Sequence, residues 1–429
     1  MMMAMKEGDH VLVKMPSHNL KIVHLKTAAT KVNLGKFGSF QAGELFGKPW
    51  NAVYNIEADG TVEAVVDPNQ SVVDFAVDAE AAANNNNSQL LDLGQVQQAT
   101  TKAIIEEKRA ELAQGAIKPE DIVKTLVSTS QTFETKTVFA QQKYIRRKER
   151  KFSRKFEALE PSARNLCEYY FTTKPQKTRG LRIDTLSQML CLANVTASST
   201  LLLGDSVGGL LVGAVLERLT DGTRDLGGRI LALQDSDTNN HDLLKEMNFP
   251  SEVLDRVINS LPWSRVDPAE HEINPPAAPE TTDTTLLSRH TRKLASIAHT
   301  NAVRGTYLGP DSADALLLAT QWDPLEALQK LLPFLGYSRS VVVYSAHRET
   351  LAETYLFLRG SKEFVNAQLS ETMTREYQVP VSGLGTHPFM QTSGTGGFIL
   401  TATKVDAGGC PEAAVYGNRH VQPTKRRKL

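Results

Sequence analysis

From residue 8 to about 78, short apolar, β-prone runs are separated by turn residues. Val11-Leu-Val13, Lys21-Ile-Val-His-Leu25, Ala52-Val-Tyr-Asn-Ile56 and Val62-Glu-Ala-Val-Val66 are β-prone, and Pro16-Ser17, Gly35, Gly38, Gly47-Lys-Pro49 and Asp59-Gly60 separate them. Asp59-Gly60 predicts a hairpin, and strands this short and regular predict a small antiparallel barrel or sandwich over residues 1–78. Residues 79–92, with the run Ala79-Glu-Ala-Ala-Ala-Asn-Asn-Asn-Asn-Ser88, read as a low-complexity linker. From 93 to 182 the pattern turns helical. Gln95–Gln114 lacks Gly and Pro, Pro119-Glu-Asp-Ile-Val-Lys-Thr-Leu opens a second helix, and a basic helix follows.

Beyond Arg182, apolar runs alternate with helical patterns. Ser199-Thr-Leu-Leu-Leu203 precedes Leu210–Leu219, and Arg229-Ile-Leu-Ala-Leu-Gln234 precedes His241–Met247. Ala315-Leu-Leu-Leu-Ala319 precedes Pro324–Leu335, Ser340-Val-Val-Val-Tyr344 precedes Glu349–Leu358, and Phe398-Ile-Leu-Thr-Ala-Thr403 closes the series. Strands alternating with helices predict βαβ units on a mainly parallel sheet. The chain is therefore expected to be α/β with an N-terminal all-β domain, the α/β domain covering 183–406. A polar, Thr- and Pro-rich stretch at about 267–285 reads as a surface insertion, and 407–429 as a basic tail.

At 429 residues, with 41% hydrophobic and 22% charged positions, the chain is long enough for more than one core. Cys167, Cys191 and Cys410 are widely spaced with no C-x-x-C, which excludes a disulfide scaffold or a Cys-rich zinc module. The scattered histidines show no metal-ligand spacing, and G-x-S-x-G is absent. The polar start and the want of a spanning apolar segment point to a soluble intracellular chain with no membrane attachment.

The 48 basic and 48 acidic residues cancel, but not locally. Lys136 to Arg182 holds 14 Lys/Arg against Glu149, Glu157, Glu160 and Glu168. The densest part contains Lys143, Arg146, Arg147, Lys148, Arg150, Lys151, Arg154 and Lys155, while Ile145, Phe152, Phe156 and Leu159 fit one helical face. An apolar stripe on an otherwise cationic helix reads as docking to protein on one side and RNA or DNA phosphate on the other; a solvated face is the plainer alternative. Lys425-Arg-Arg-Lys428 resembles a nuclear localisation signal and is equally readable as an accidental basic tail.

Strand, Gly204-Asp-Ser-Val-Gly-Gly209, helix is the shape of a nucleotide-binding first turn. Methyltransferases typically carry an acid followed by G-x-G-x-G. Placing Asp205 on the acid puts Val207, Gly209 and Leu211 on the glycine positions, with Gly208 between. A branched Val resists positive φ, and Leu211 projects where a cofactor needs room, so the fold is expected to survive with a degenerate site. Asp235 and Asp237 suit either a ribose-binding carboxylate or a helix cap, and Asp323, directly before Pro324, suits an N-cap.

Taken in order, Asn33-Leu-Gly-Lys-Phe-Gly-Ser-Phe40, Gln141-Gln-Lys-Tyr-Ile-Arg-Arg-Lys-Glu-Arg-Lys151, Val207-Gly-Gly-Leu-Leu-Val-Gly-Ala-Val-Leu-Glu-Arg218, Leu331-Leu-Pro-Phe-Leu-Gly-Tyr-Ser-Arg339, Leu369-Ser-Glu-Thr-Met-Thr-Arg-Glu-Tyr-Gln-Val379 and Thr386-His-Pro-Phe-Met390 resemble one family. It is the non-catalytic, RNA-binding subunit of the eukaryotic tRNA N1-adenine (T-loop) methyltransferase. The resemblance implies an N-terminal β-barrel, a Rossmann-like methyltransferase fold that has lost its cofactor site, and no catalytic residue or metal in this chain. It further implies pairing with a homologous catalytic subunit, two of each in a heterotetramer, the partner holding S-adenosylmethionine. Arg375 matches a position the family uses for tRNA, a salt bridge to Glu371 or Glu376 being its structural alternative. Nuclear residence follows from the family and the tail. N1 of an adenosine in the folded tRNA elbow must be exposed before it can react, so a firm grip on the RNA is expected. A stand-alone RNA-binding or translation-linked factor and an active S-adenosylmethionine-dependent enzyme are the alternative functions.

Overall fold

In the computed structural model, residues 4–57, 59–65, 119–128, 133, 138–220, 227–235, 241–266, 276, 284–379, 386–390 and 392–407 are described. The expected helix at Gln95–Gln114, the Asn-run, Asp237, nearly all of the Thr/Pro insertion, Cys410 and the basic tail lie outside them. The chain divides into two compact units: Met1–Asn165 with Glu246–Asn248 and Tyr377–Phe389, and the remainder.

In the first unit, strands β1 (His10–Lys14), β2 (Leu20–His24), β5 (Ala52–Ile56), β6 (Val62–Ala64) and β7 (Lys155–Leu159) form an antiparallel sheet ordered β2-β1-β7-β5-β6. β3 (Lys31–Asn33) and β4 (Ser39–Gln41) pair as a separate hairpin. Val11, Val13, Leu25, Phe37, Phe40, Leu45, Tyr54, Ile56 and Phe156 build its core, with the Phe40 and Phe156 rings stacked 5.1 Å apart. At the expected β5–β6 hairpin, Asp59 Oδ1 accepts from the Thr61 backbone N–H at 2.9 Å and Gly60 takes φ +90°.

Helices α1 (Pro119–Ser128) and α2 (Val138–Phe152) pack through Val123, Phe133 and Ile145. The helical stripe is corrected here: α2 ends at Phe152, and Phe156 and Leu159 lie on strand β7. Ser153 stops the helix, its Oγ accepting from the Lys155 N–H at 3.1 Å. From Lys155 on, Phe156 and Ala158 alternate inward, and β7 fills the gap between β1 and β5. The N-terminal sheet is thus completed by residues beyond the helices that the sequence places after it.

The second unit begins with α3 (Ala163–Thr173) and α4 (Ile183–Leu192). Its sheet comprises β8 (Thr200–Asp205), β9 (Arg229–Gln234), β10 (Ile258–Pro262), β11 (Ala313–Ala319), β12 (Leu335–Ser345), β13 (Phe364–Glu371) and β16 (Phe398–Lys404), ordered β10-β9-β8-β11-β12-β16-β13. The first five are parallel and β16 is antiparallel to both neighbours. This is a doubly wound, Rossmann-like sheet whose strand order reverses at β8. Interior strands covered on both faces read as continuous apolar runs, as in the buried Leu201, Leu202 and Leu203 of β8. Helix α5 (Leu210–Leu219) follows β8 and is buried nearly all round; α6 (Ser251–Val257), α7 (Thr284–Tyr307), α8 (Pro324–Leu331) and α9 (Glu349–Gly360) complete the set. The short strands β14 (Tyr377–Gln378) and β15 (His387–Pro388), which belong to the first unit, pair with each other. Among the described residues, no helix is long and apolar enough to cross a membrane.

Candidate functional site

The turn between β8 and α5 lies at the carboxyl end of the sheet, where open α/β folds place ligands. Here it is closed by its own backbone. Asp205 is buried; its Oδ1 accepts from the N–H groups of Val207 (2.8 Å) and Gly209 (3.0 Å), and its Oδ2 from that of Val212 (3.1 Å). The carboxylate satisfies amides that the start of a helix leaves without partners. Gly208 and Gly209 take positive φ, and a Cβ on Gly209 would stand 2.8 Å from the His241 Cα. Val207 and Leu211, on the positions expected of glycine, are fully buried in the core. Gly204 is needed for packing, since a Cβ there would come within 2.6 Å of Thr320 and 2.8 Å of Leu318.

Asp235 lies directly after β9 and accepts from three side chains. Its Oδ1 accepts from Trp322 Nε1, and its Oδ2 from Gln321 Nε2 at 3.0 Å and Ser206 Oγ at 3.4 Å. The Trp322 ring stacks on Trp263 with centroids 4.4 Å apart and planes 21° apart, and Lys330 Nζ lies 4.6 Å over Trp263. Trp263 follows β10 and Trp322 follows β11, so residues after successive strands converge on the place where a nucleoside would lie. His241, buried beside Gln234, has its pKa lowered, chiefly by burial. Asp323 is an N-cap, its Oδ1 accepting from the Glu326 N–H at 2.8 Å with Pro324 in the first turn. This set does not fit an adenosyl cofactor: the ribose carboxylate is engaged by three side-chain donors, and a tryptophan pair stands in the cleft.

The candidate RNA residues fall on two elements. Lys143, Arg146, Arg147, Lys148, Arg150 and Lys151 lie in α2; the side chains of Lys143, Arg146 and Arg150 are outside the described residues. Arg147 is exposed, Lys148 Nζ lies 5.0 Å over the Tyr144 ring and Lys151 Nζ 5.8 Å over Phe152. Arg154 and Lys155, at the turn into β7, are half-buried and off the helix.

Arg375 lies on an arm between β13 and β16. It is exposed, forms no ion pair with Glu371 or Glu376 among the described residues, and its NH2 donates to Met390 Sδ at 3.9 Å. Both ends of the arm are pinned to the start of α4. Arg182 forks onto Asp184 (2.6 and 2.8 Å) and donates to the carbonyls of Thr372 (3.0 Å) and Ser393 (3.3 Å). Thr185 Oγ1 meets Thr372 Oγ1 at 2.6 Å and donates to the Gly396 carbonyl at 2.8 Å. A Cβ on Gly396 would fall 2.7 Å from Thr185 Oγ1. Burial pushes the Asp184 carboxyl up, but hydrogen bonds from Arg182, Thr374 and Thr372 with the Arg182 charge outweigh it and hold the group well below the usual carboxylate range. Sequence reasoning missed this clamp and the Trp263–Trp322 pair. The tryptophans stand 59 positions apart, and Arg182 stands 190 and 211 positions from Thr372 and Ser393, so no local pattern links them.

The Gcd10p family model matches residues 4–290. The tRNA (adenine(58)-N(1))-methyltransferase non-catalytic subunit TRM6 of Kluyveromyces lactis is 31% identical, over 93% of this chain and 86% of its own. The corresponding subunits of Schizosaccharomyces pombe (29%; 93% of this chain, 91% of its own) and Mus musculus (27%; 85% and 82%) also match. Among solved structures, the tRNA (m1A58) methyltransferase TrmI of Aquifex aeolicus overlays with a TM-score of 0.45 at 10% identity, covering 94% of this chain and all of that one. With two thirds of its length matched by the family model and its sequence aligned nearly end to end with these subunits, the chain belongs to the Gcd10p family.

Proposed function

We propose that this chain is the non-catalytic, tRNA-binding subunit of a heteromeric tRNA N1-adenine methyltransferase acting on the T-loop adenosine. The observation that carries the reading is the closed carboxyl end of the sheet, where Asp205 serves three backbone amides and Asp235 serves Trp322, Gln321 and Ser206. A turn committed to its own packing leaves S-adenosylmethionine and the methyl transfer to a homologous partner subunit. Pairing is supported by Met373 and Met390, which are 80% and 81% exposed. Apolar side chains left this far in water mark an interaction surface. The assembly we infer has two copies of each subunit, in the nucleus. The cations of α2 and Arg375 grip the RNA through phosphate and shape rather than base sequence.

The test is methyl transfer from labelled S-adenosylmethionine to a tRNA transcript, with the chain alone and with its catalytic partner. Activity only in the pair is expected. Activity from the chain alone would overturn the reading, because the Gly204–Gly209 turn would then be a working cofactor site.

A further inference from the structure

Helix α7 is a basic surface that the sequence pattern hides. From Thr284 to Tyr307 it has no Asp or Glu, but it carries Arg289, Arg292, Lys293 and Arg304 with His290 and His299. The polar stretch ahead of it holds Asp267, Glu270, Glu272, Glu280 and Asp283, so a sequence window across both reads as balanced.

The helix is anchored at one end. Val303, Arg304 and Tyr307 are buried, and Tyr307 OH accepts from Asn259 Nδ2 at 2.9 Å. From Thr284 to Ala302 no residue is buried, a length of about 28 Å at 1.5 Å per residue. At 100° per residue, the half-buried His290, Leu294, Ile297 and Asn301 fall on one side. Arg289 and Arg292 fall away from that stripe and Lys293 flanks it, all three exposed. Spaced i, i+3 and i+4, they share a single turn, and none has an ion pair among the described residues. Three like charges in one turn repel, and an external polyanion relieves that repulsion. Two guanidinium groups can each fork onto a phosphate, and the exposed Ser296 hydroxyl on the same side can donate to another oxygen.

We propose that the Arg289, Arg292 and Lys293 face of α7 is a second phosphate-contacting surface for folded RNA, additional to α2. The inference rests on the tRNA-binding reading and extends it to an element that the family motifs leave out. The cationic face, not the apolar stripe, is the one presented, because the stripe is the side already half covered.

The experiment compares the wild-type two-subunit complex with one carrying Arg289→Gln, Arg292→Gln and Lys293→Gln, titrating a labelled tRNA transcript across a salt series. Each phosphate contact contributes about one to the slope of log affinity against log salt, so the slope is expected to shrink by about two to three and affinity at low salt to fall about tenfold or more. Protection of Lys293 from an amine-acetylating reagent on adding tRNA is expected in the wild type. Unchanged affinity and slope, with wild-type binding intact, would overturn this inference alone. So would a variant that alters only subunit assembly or only thermal stability; the face would then be covered by the partner or by the acidic residues ahead of the helix. Failure of the wild-type complex to bind tRNA would overturn the tRNA-binding reading as well.

Discussion

Two loops, each leaving the carboxyl end of a strand of the second unit's sheet, spend their polar groups in opposite ways. At the turn after β8 the distinctive groups face inward, Asp205 onto three amides and Val207 and Leu211 into the core, while the exposed Asp235 after β9 accepts from Trp322, Gln321 and Ser206. In the arm between β13 and β16, Arg375, Met373 and Met390 are exposed, while Thr372 and Gly396 at its two ends hydrogen-bond to Arg182 and Thr185. A loop that still handled a small molecule would keep polar groups unspent at the turn. A loop that handles a macromolecule fixes its base and leaves its tip available.

The comparison breaks most directly at Asp205. Asp205→Ala leaves three buried amides without an acceptor, an expected loss of about 3 kcal/mol or more in urea unfolding. Asp205→Asn keeps one acceptor oxygen and should cost less. A fully stable Asp205→Ala chain would mean that the carboxylate is held for a ligand after all.

The arm's base comes next. Arg182→Ala removes the fork to Asp184 and two donors to the arm, an expected cost of about 2–3 kcal/mol. Proteolytic cleavage between Thr372 and Ser393 should also accelerate. The Asp184 carboxyl is depressed in the folded state, so its contribution is fully present above the unfolded value of about 3.9 and is lost as pH falls through the lower, folded value. Acid unfolding below about pH 4 should therefore be less steep in Asp184→Asn. Equal steepness would show that the pair adds nothing to the arm.

A smaller effect is expected at the tryptophan pair. Trp322→Phe keeps a ring on Trp263 but removes the N–H donated to Asp235, an expected cost of about 1 kcal/mol. The same substitution should leave the chain's fluorescence unresponsive to added S-adenosylmethionine. A saturable response would show that the cleft is gated by the indole rather than closed.

The sequence reveals most where burial is two-sided. Leu201–Leu203, Leu316–Leu318 and Val341–Val343 are unbroken apolar runs because helices cover both faces of the sheet. Edge strands were harder to see: β10 and β13 keep polar residues on an open face, and nothing in Ile258–Pro262 separates them from a loop. Phe156 and Leu159 extended the period of α2 by coincidence, and only the pairing of β7 with β1 and β5, over a hundred positions away, resolves them. At the site, Asp205, Val207 and Leu211 were legible because a local spacing rule exists for that turn. The partners of Asp235 and the Arg182 clamp depend on strand order, which no local rule encodes.

The smallest effect on folding is the sharpest test of the outward loop. Arg375 is exposed, and its contact with the Met390 sulfur at 3.9 Å is a weak one, so Arg375→Ala should change unfolding free energy by less than about 0.5 kcal/mol. If the arm exists to hold RNA, the same substitution weakens tRNA binding by the complex and lowers its salt slope by about one, while Arg375→Lys restores the slope but not the full affinity, since an ammonium cannot fork onto a phosphate. An arginine that served the arm's own packing would show the reverse, a loss of stability with RNA affinity unchanged. The two readouts therefore separate a residue placed for the fold from one the fold places for its partner.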